Sequence, residues 1–159
     1  MRRKITLTLR QRALRALARR DHSRIELARK LNRIREETDN VDALLDEFEA
    51  NGWLSDERFA GSAARQRQGR YSQRHIVEDL KSKGISIETA KTAVAALEQD
   101  DEAIAFALWR QRFGEPPADQ KEKARQVRFL QSRGFSLSIA FRVLKQAGTP
   151  PDDDAYEED

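Results

Sequence analysis

The stretch Leu80-Lys81-Ser82-Lys83-Gly84-Ile85-Ser86 returns fifty residues later as Leu130-Gln131-Ser132-Arg133-Gly134-Phe135-Ser136. Val77 is matched by Val127, Ala90 by Ala140 and Val94 by Leu144. Arg65-Gln66-Arg67-Gln68-Gly69 likewise returns as Arg110-Gln111-Arg112-Phe113-Gly114, and Ser23 to Leu31 resembles Ser72 to Leu80 more loosely. Chance likeness among amphipathic helices preserves apolar positions; here glycine and serine keep their places as well. A period of about 50 residues is that of a helical repeat whose neighbours stack to bury their faces.

Helix punctuation divides the chain to match. Leu9, Ala13, Leu14, Ala16 and Leu17 alternate with Arg10, Arg12, Arg15 and Arg19, which predicts an amphipathic helix with a basic outer face. Ser23 with Glu26 three residues on is a capping box for a second helix carrying Leu27, Leu31 and Ile34. Val41, Leu44, Leu45 and Phe48 give a third helix that stops at Gly52. Leu54, Ser55 and Phe59 have the spacing of a hydrophobic staple at the start of a fourth. Tyr71-Ser72, Ile85-Ser86, Asp100 or Asp101, Asp119 with Glu122, and Phe135-Ser136 open five more, the seventh being ended by Gly114-Glu115-Pro116-Pro117. The apolar stripe of that seventh helix reads as Ala103, Ile104, Ala107 and Leu108. Nothing alternates as a strand does. The expected fold is all-α: an elongated array of three tandem three-helix repeats over residues 8–54, 55–99 and 100–148. It is followed by a disordered acidic C-terminal tail, 149–159, that lacks the apolar residues needed to fold.

Composition narrows the function classes. Hydrophobic residues make up 38% and charged residues 36%, which suits thin helical layers better than a thick globule. There is no cysteine, so disulfide and thiolate chemistry are excluded. No stretch approaches the roughly 20 apolar residues of a membrane helix, and Met1-Arg2-Arg3-Lys4 is not followed by a signal-peptide core; a cytoplasmic protein without membrane contact is expected. The net charge of +3 hides an asymmetry: residues 152 to 159 hold six acids and no base, so residues 1 to 151 carry 30 bases against 27 − 6 = 21 acids, net +9. A body so charged is suited to an anionic partner.

Catalytic chemistry has little to stand on. His75 and Glu78 share a helix face but have no second pair to complete a metal shell, so His75 is expected as a surface residue beside a cap and His22 as a turn residue. No glycine loop of the phosphate-cradling type is present, and the serines sit mostly at caps. No catalytic, metal or cofactor-binding residues are expected. Phe106, Trp109 and Phe113 form a second apolar side on their helix, expected to be buried between neighbours rather than displayed as an aromatic ridge.

The positive signal is arginine. Arg58, Arg65, Arg67, Arg70 and Arg74 precede Lys81 and Lys83 in the middle repeat, and Arg110, Arg112, Arg125, Arg128 and Arg133 follow in the third, with Lys121 and Lys123 between. Regular stacking would align these as a stripe suited to a long polyanion. About half are accounted for as solvated helix faces paired with local acids.

With these residues in view, the chain resembles the RecX family of bacterial recombination regulators. The resemblance rests on Gly52-Trp53-Leu54-Ser55-Asp56-Glu57-Arg58-Phe59-Ala60, the arginines before Gly69, then Ile76, Leu80 and Lys83-Gly84-Ile85. Support comes from Ala18 to Ser23 with Glu26-Leu27 and Lys30-Leu31, and from Phe113-Gly114-Glu115, Arg128-Phe129-Leu130 and Arg133-Gly134-Phe135. The likeness spans nearly residues 9 to 148. One departure is Gly69-Arg70-Tyr71-Ser72-Gln73, where the family often has a glycine, an aromatic, a second glycine and a proline. The resemblance implies a protein without enzymatic activity that binds RecA filaments on single-stranded DNA, lies along the filament groove, and limits strand exchange, ATP hydrolysis and coprotease activity. A monomer is expected. The alternative is a helical-repeat nucleic-acid-binding protein with no RecA partner; an enzyme is a distant third.

Overall fold

The computed structural model describes residues 6 to 148; Met1-Arg2-Arg3-Lys4 and the acidic segment 152–159 lie outside them. Nine helices and no strand occur among the described residues: α1 Leu9–Arg19, α2 Arg24–Asn32, α3 Val41–Ala50, α4 Asp56–Arg67, α5 Gln73–Ser82, α6 Ile87–Ala95, α7 Asp101–Arg112, α8 Gln120–Ser132 and α9 Leu137–Gly148. They form three repeats of three helices. None is long and apolar enough to cross a membrane.

Each of the nine starts at a side-chain cap, which fixes where the chain turns. Thr8, Ser23 and Asn40 accept from the amides of Gln11, Glu26 and Ala43, the first two as capping boxes. Ser55, Ser72, Ser86 and Ser136 accept from Arg58, His75, Thr89 and Ile139 at 3.1–3.2 Å. Asp100 and Asp119 accept from Ala103 and Glu122. Loss of one such cap costs about 1 kcal/mol, so nine of them specify helix starts strongly.

Two compact units emerge. Among the described residues, unit one comprises residues 6–66 together with Val77–Leu97; unit two comprises Arg67–Ile76 and residues 98–148. The middle repeat therefore contributes to both. In unit one, α1 to α3 enclose Ala13, Leu27, Leu31, Leu45, Phe48 and Leu54. In unit two, α7 to α9 enclose Ala105, Trp109, Leu130, Phe135, Ala140 and Val143.

The repeated glycines supply the joint inside each unit. Gly84 and Gly134 have φ of +84° and +90°, and their turns bond alike: Ile85 to Leu80 and Phe135 to Leu130, both at 3.1 Å. In unit one the Lys83 carbonyl accepts from the Ser23 hydroxyl at 2.8 Å, and a Cβ on Gly84 would sit 2.7 Å from Ile25 Cβ. In unit two the Arg133 carbonyl accepts from the Ser72 amide at 2.9 Å, and a Cβ on Gly134 would meet Ser72 Oγ at 2.4 Å and His75 Cβ at 2.5 Å. The second helix of one repeat thus ends against the start of the second helix of the repeat before it. Glycine recurs because both the backbone conformation and the close approach exclude a side chain.

The structure corrects two local expectations. On α7 the buried stripe is Ala105 and Trp109, with Ile104 and Leu108 half-buried and Ala103 and Ala107 exposed. A tryptophan outweighs alanines in choosing which face turns inward, because it removes far more apolar area from water. His75 is half-buried rather than a surface residue: its ring stacks on Tyr71 at 4.4 Å, and Gly134 closes over its Cβ. His22 is a turn residue as expected, but a buried one, with Nδ1 3.0 Å from the Arg20 carbonyl. The second apolar side of α7 belongs to the core as expected: Trp109 is buried and its indole N–H donates to Gln126 at 2.8 Å.

Candidate nucleic-acid interface

In unit one, several cations are committed to carboxylates, among them Arg10, which pairs with Glu47 while also standing over the Phe48 and Trp53 rings. Arg24 on α2 bridges Asp46 at 2.8 Å and Glu49 at 3.0 Å on α3, and these bonds hold its guanidinium pKa above the usual arginine value. Arg20 pairs with Glu26, whose carboxyl is held below its usual range by that hydrogen bond. Arg58 uses three donors at once, to Asp21 at 2.7 Å, the Gly52 carbonyl at 3.0 Å and the Trp53 carbonyl at 3.1 Å. Although among the arginines expected to bind, Arg58 fastens the start of α4 to two preceding turns. Lys81 lies 3.4 Å from Glu78 and Lys83 lies 3.7 Å from Asp79. Arg65 is exposed and has no side-chain hydrogen bond or ion pair among the described residues.

Unit two sets more of its arginines over rings. Arg70, Arg74, Arg110 and Arg128 are exposed and likewise unpaired among the described residues, while Arg67 is half-buried and engaged. Arg112, Arg125 and Arg133 stand over aromatic rings, whereas Arg142 pairs with Glu102 at 3.2 Å. Arg112 lies 5.9 Å from the centre of the Phe129 ring, and Arg125 lies 5.5 Å from Phe113 while also 3.3 Å from Glu122. Arg133 lies between Tyr71 at 5.3 Å and Phe129 at 5.5 Å, and donates to the Arg70 carbonyl at 3.4 Å. Phe113 meets Phe129 edge-on at 5.4 Å. The outcome is a connected strip, Phe113, Phe129, Arg133, Tyr71 and His75, with Arg112 and Arg125 above its rings.

Ring faces orient a guanidinium without cancelling its charge, at about 0.5–1 kcal/mol per exposed contact. A carboxylate orients and neutralises. Unit two therefore presents cations that are positioned yet available to phosphates, beside rings able to stack on bases. At the turn Gly69-Arg70-Tyr71-Ser72, Tyr71 is set under Arg133 and the Ser72 amide donates to the Arg133 carbonyl.

The basic face expected on α1 adds unpaired charge that was not counted among the arginines expected to bind. Arg12, Arg15 and Arg19 fall at i, i+3 and i+7 on α1, exposed and unpaired among the described residues, as are Arg29, Lys30 and Arg33. The helical spacing in α1 was the available signal. The described residues hold no group of three histidines, cysteines or acids placed for a metal ion.

Residues 55–94 match the RecX second three-helix domain and residues 99–144 the RecX third three-helix domain. The chain is 45% identical over 141 residues to regulatory protein RecX of Ralstonia pickettii, covering 89% of each chain. It is 35% identical over 152 residues to regulatory protein RecX of Neisseria meningitidis serogroup B, covering 96% of each. Its fold is similar to the crystal structure of RecX from Lactobacillus salivarius, with a TM-score of 0.72 at 18% identity over 87% of this chain and 94% of that one. A second crystal structure, of regulatory protein RecX, superposes with a TM-score of 0.71 at 19% identity over 87% of this chain and 71% of that one. Matching domain descriptions over both the middle and third repeats, together with relatives alike over nearly the whole chain, show that this protein belongs to the RecX family of regulatory proteins.

Proposed function

We propose that the protein is a cytoplasmic, non-enzymatic regulator that binds RecA filaments on single-stranded DNA as a monomer and restrains RecA's strand exchange, ATP hydrolysis and coprotease activity. The three repeats, 8–54, 55–99 and 100–148, act as its binding modules. The observation that carries the reading is the set of arginines in unit two held on ring faces or left unpaired: Arg70, Arg74, Arg110, Arg112, Arg128 and Arg133. Arg65 and Arg67 add cations at the end of α4, and Arg125, Lys81 and Lys83 stay available where their acid partners exchange with phosphate. Such exchange is cheap, since exposed ion pairs contribute only about 0–1 kcal/mol. Blocking a filament this way needs no bond chemistry, only preferential binding to one state of the filament.

The test adds the protein to RecA on single-stranded DNA and follows ATP hydrolysis. Falling hydrolysis at stoichiometric ratios is expected, and an unchanged rate overturns the proposal. Arg65→Glu, or Arg70→Glu with Arg74→Glu, weakens inhibition while circular dichroism stays native. Tight, salt-sensitive binding to bare DNA with no effect on RecA would instead favour a nucleic-acid-binding module without that partner.

A further inference from the structure

Phe141 on α9 is 46% exposed, and Lys123 Nζ lies 5.5 Å from its ring centre. Around it Pro117, Lys123, Leu144 and Lys145 complete a groove of about 300 Å³, all within unit two. The repeat architecture does not require an aromatic there: the equivalent position fifty residues earlier is Lys91, which is exposed. Two lysines beside an open apolar floor suit a peptide with one aromatic side chain and flanking acids. The chain carries such a peptide, Asp152-Asp153-Asp154-Ala155-Tyr156-Glu157-Glu158-Asp159.

We propose that the acidic segment 152–159 docks in this groove of its own chain, with the Tyr156 ring against Phe141 and Leu144 and its flanking carboxylates facing Lys123 and Lys145. Reach is ample. Phe141 lies seven residues before Gly148, roughly 10 Å back along α9 at 1.5 Å per residue. Tyr156 lies eight residues after Gly148 and can extend to roughly 25 Å. Pro150 and Pro151 bar continuation of the helix and favour a change of direction just beyond it. Offset stacking of two aromatic rings adds to the burial of the groove floor, and six acids brought beside unit two screen its arginines from other anions. Docking is thus a built-in competitor for the anion-binding surface, and this consequence rests on the function proposed above, whereas the docking itself does not.

The experiment uses the full chain with nuclear magnetic resonance of the Phe141 ring and Leu144 methyl groups. Replacing Tyr156→Ser is expected to move both sets of resonances. The exposed-site variant Phe141→Gln returns the Tyr156 ring resonances to those of a synthetic peptide of residues 149–159. Tenfold dilution leaves the wild-type spectrum unchanged. Unmoved Phe141 and Leu144 resonances in Tyr156→Ser overturn the proposal. So do shifts lost on dilution, which would put a second copy's segment in the groove. In a parallel titration Tyr156→Ser binds single-stranded DNA several-fold more tightly than wild type. Absence of any DNA binding by either protein counts against the anion-binding function, and the Phe141 shifts still decide the docking.

Discussion

Substituting alanine at Gly84 tests the joint in unit one against a matched control in the same unit. Any L-residue at φ +84° costs about 1–2 kcal/mol from the left-handed backbone alone. The added Cβ would also lie 2.7 Å from Ile25 Cβ, 2.8 Å from its Cδ1 and 3.0 Å from its Cγ2, so α2 must shift, at an overpacking cost of about 1–3 kcal/mol. Gly52 has a similar φ, +73°, and nothing within 4 Å of its Cβ position, so Gly52→Ala carries the backbone cost without the clash. The expected difference is therefore about 1–3 kcal/mol. At a urea slope of about 2 kcal/mol/M, that separates the two unfolding midpoints by about 0.5–1.5 M, read by far-ultraviolet circular dichroism. The pair Gly134 and Gly69 repeats the comparison in unit two, where Gly69 again has open space. Combining Ile25→Ala with Gly84→Ala recovers only part of the loss, because alanine keeps the Cβ that makes the nearest contact; the coupling appears as non-additivity. Coincident midpoints for Gly84→Ala and Gly52→Ala would refute the close-approach explanation of the repeat.

Gln126→Leu strands the buried Trp109 indole N–H and lowers stability by about 1–3 kcal/mol, checked by chemical denaturation followed through tryptophan fluorescence. Arg58→Ala removes three hydrogen bonds and lowers stability by about 1–2 kcal/mol, discounted for exposure, yet leaves the salt dependence of DNA binding unchanged. The Arg20 hydrogen bond holds the Glu26 carboxyl below its ordinary value near 4.5, so its contribution is present above that pH and is lost as pH falls through the lower folded value. Wild type and Arg20→Gln therefore differ in thermal midpoint at neutral pH and converge under acid conditions, as calorimetry across pH would show.

What the sequence revealed was local. Caps act over three or four residues, so Ser23, Asp119 and the recurring Ser72, Ser86 and Ser136 could be read directly, and with them the nine helices. The recurrence of Gly84 and Gly134 was legible too, but its cause was not, since Ile25 lies about sixty residues from Gly84. The same distance problem hid Arg58, whose carboxylate partner is 37 positions away, and Gln126, a polar residue made necessary by the tryptophan 17 positions before it. On α7 helical periodicity counted alanines equally with larger residues, and the face selected by Trp109 won. Arginine clusters marked where positive charge is concentrated. Which arginines are neutralised, and which are merely oriented, depended on rings and carboxylates brought in by other helices.

That distinction has a measurable consequence at Phe129, the ring shared by Arg112 and Arg133. Phe129→Leu leaves every cation in place while removing the surface that holds two of them. Arg112 is then freed and Arg133 keeps only Tyr71 and the Arg70 carbonyl, so more of their ordering falls on the ligand, against a side-chain entropy of up to about 2 kcal/mol each, and affinity for single-stranded DNA falls. The number of phosphates neutralised does not change. A plot of log affinity against log salt therefore keeps its slope, whereas Arg70→Gln with Arg74→Gln lowers the slope by about 1.4, at roughly 0.7 per contact for a single strand. Phe129 is half-buried against the unit-two core, so a cooperative thermal transition in the variant is needed first to show that the fold has held. With that established, a reduced slope in Phe129→Leu would mean that the ring recruits cations to the ligand instead of orienting them beforehand. An unchanged affinity would mean that Arg112 and Arg133 do not touch the polyanion.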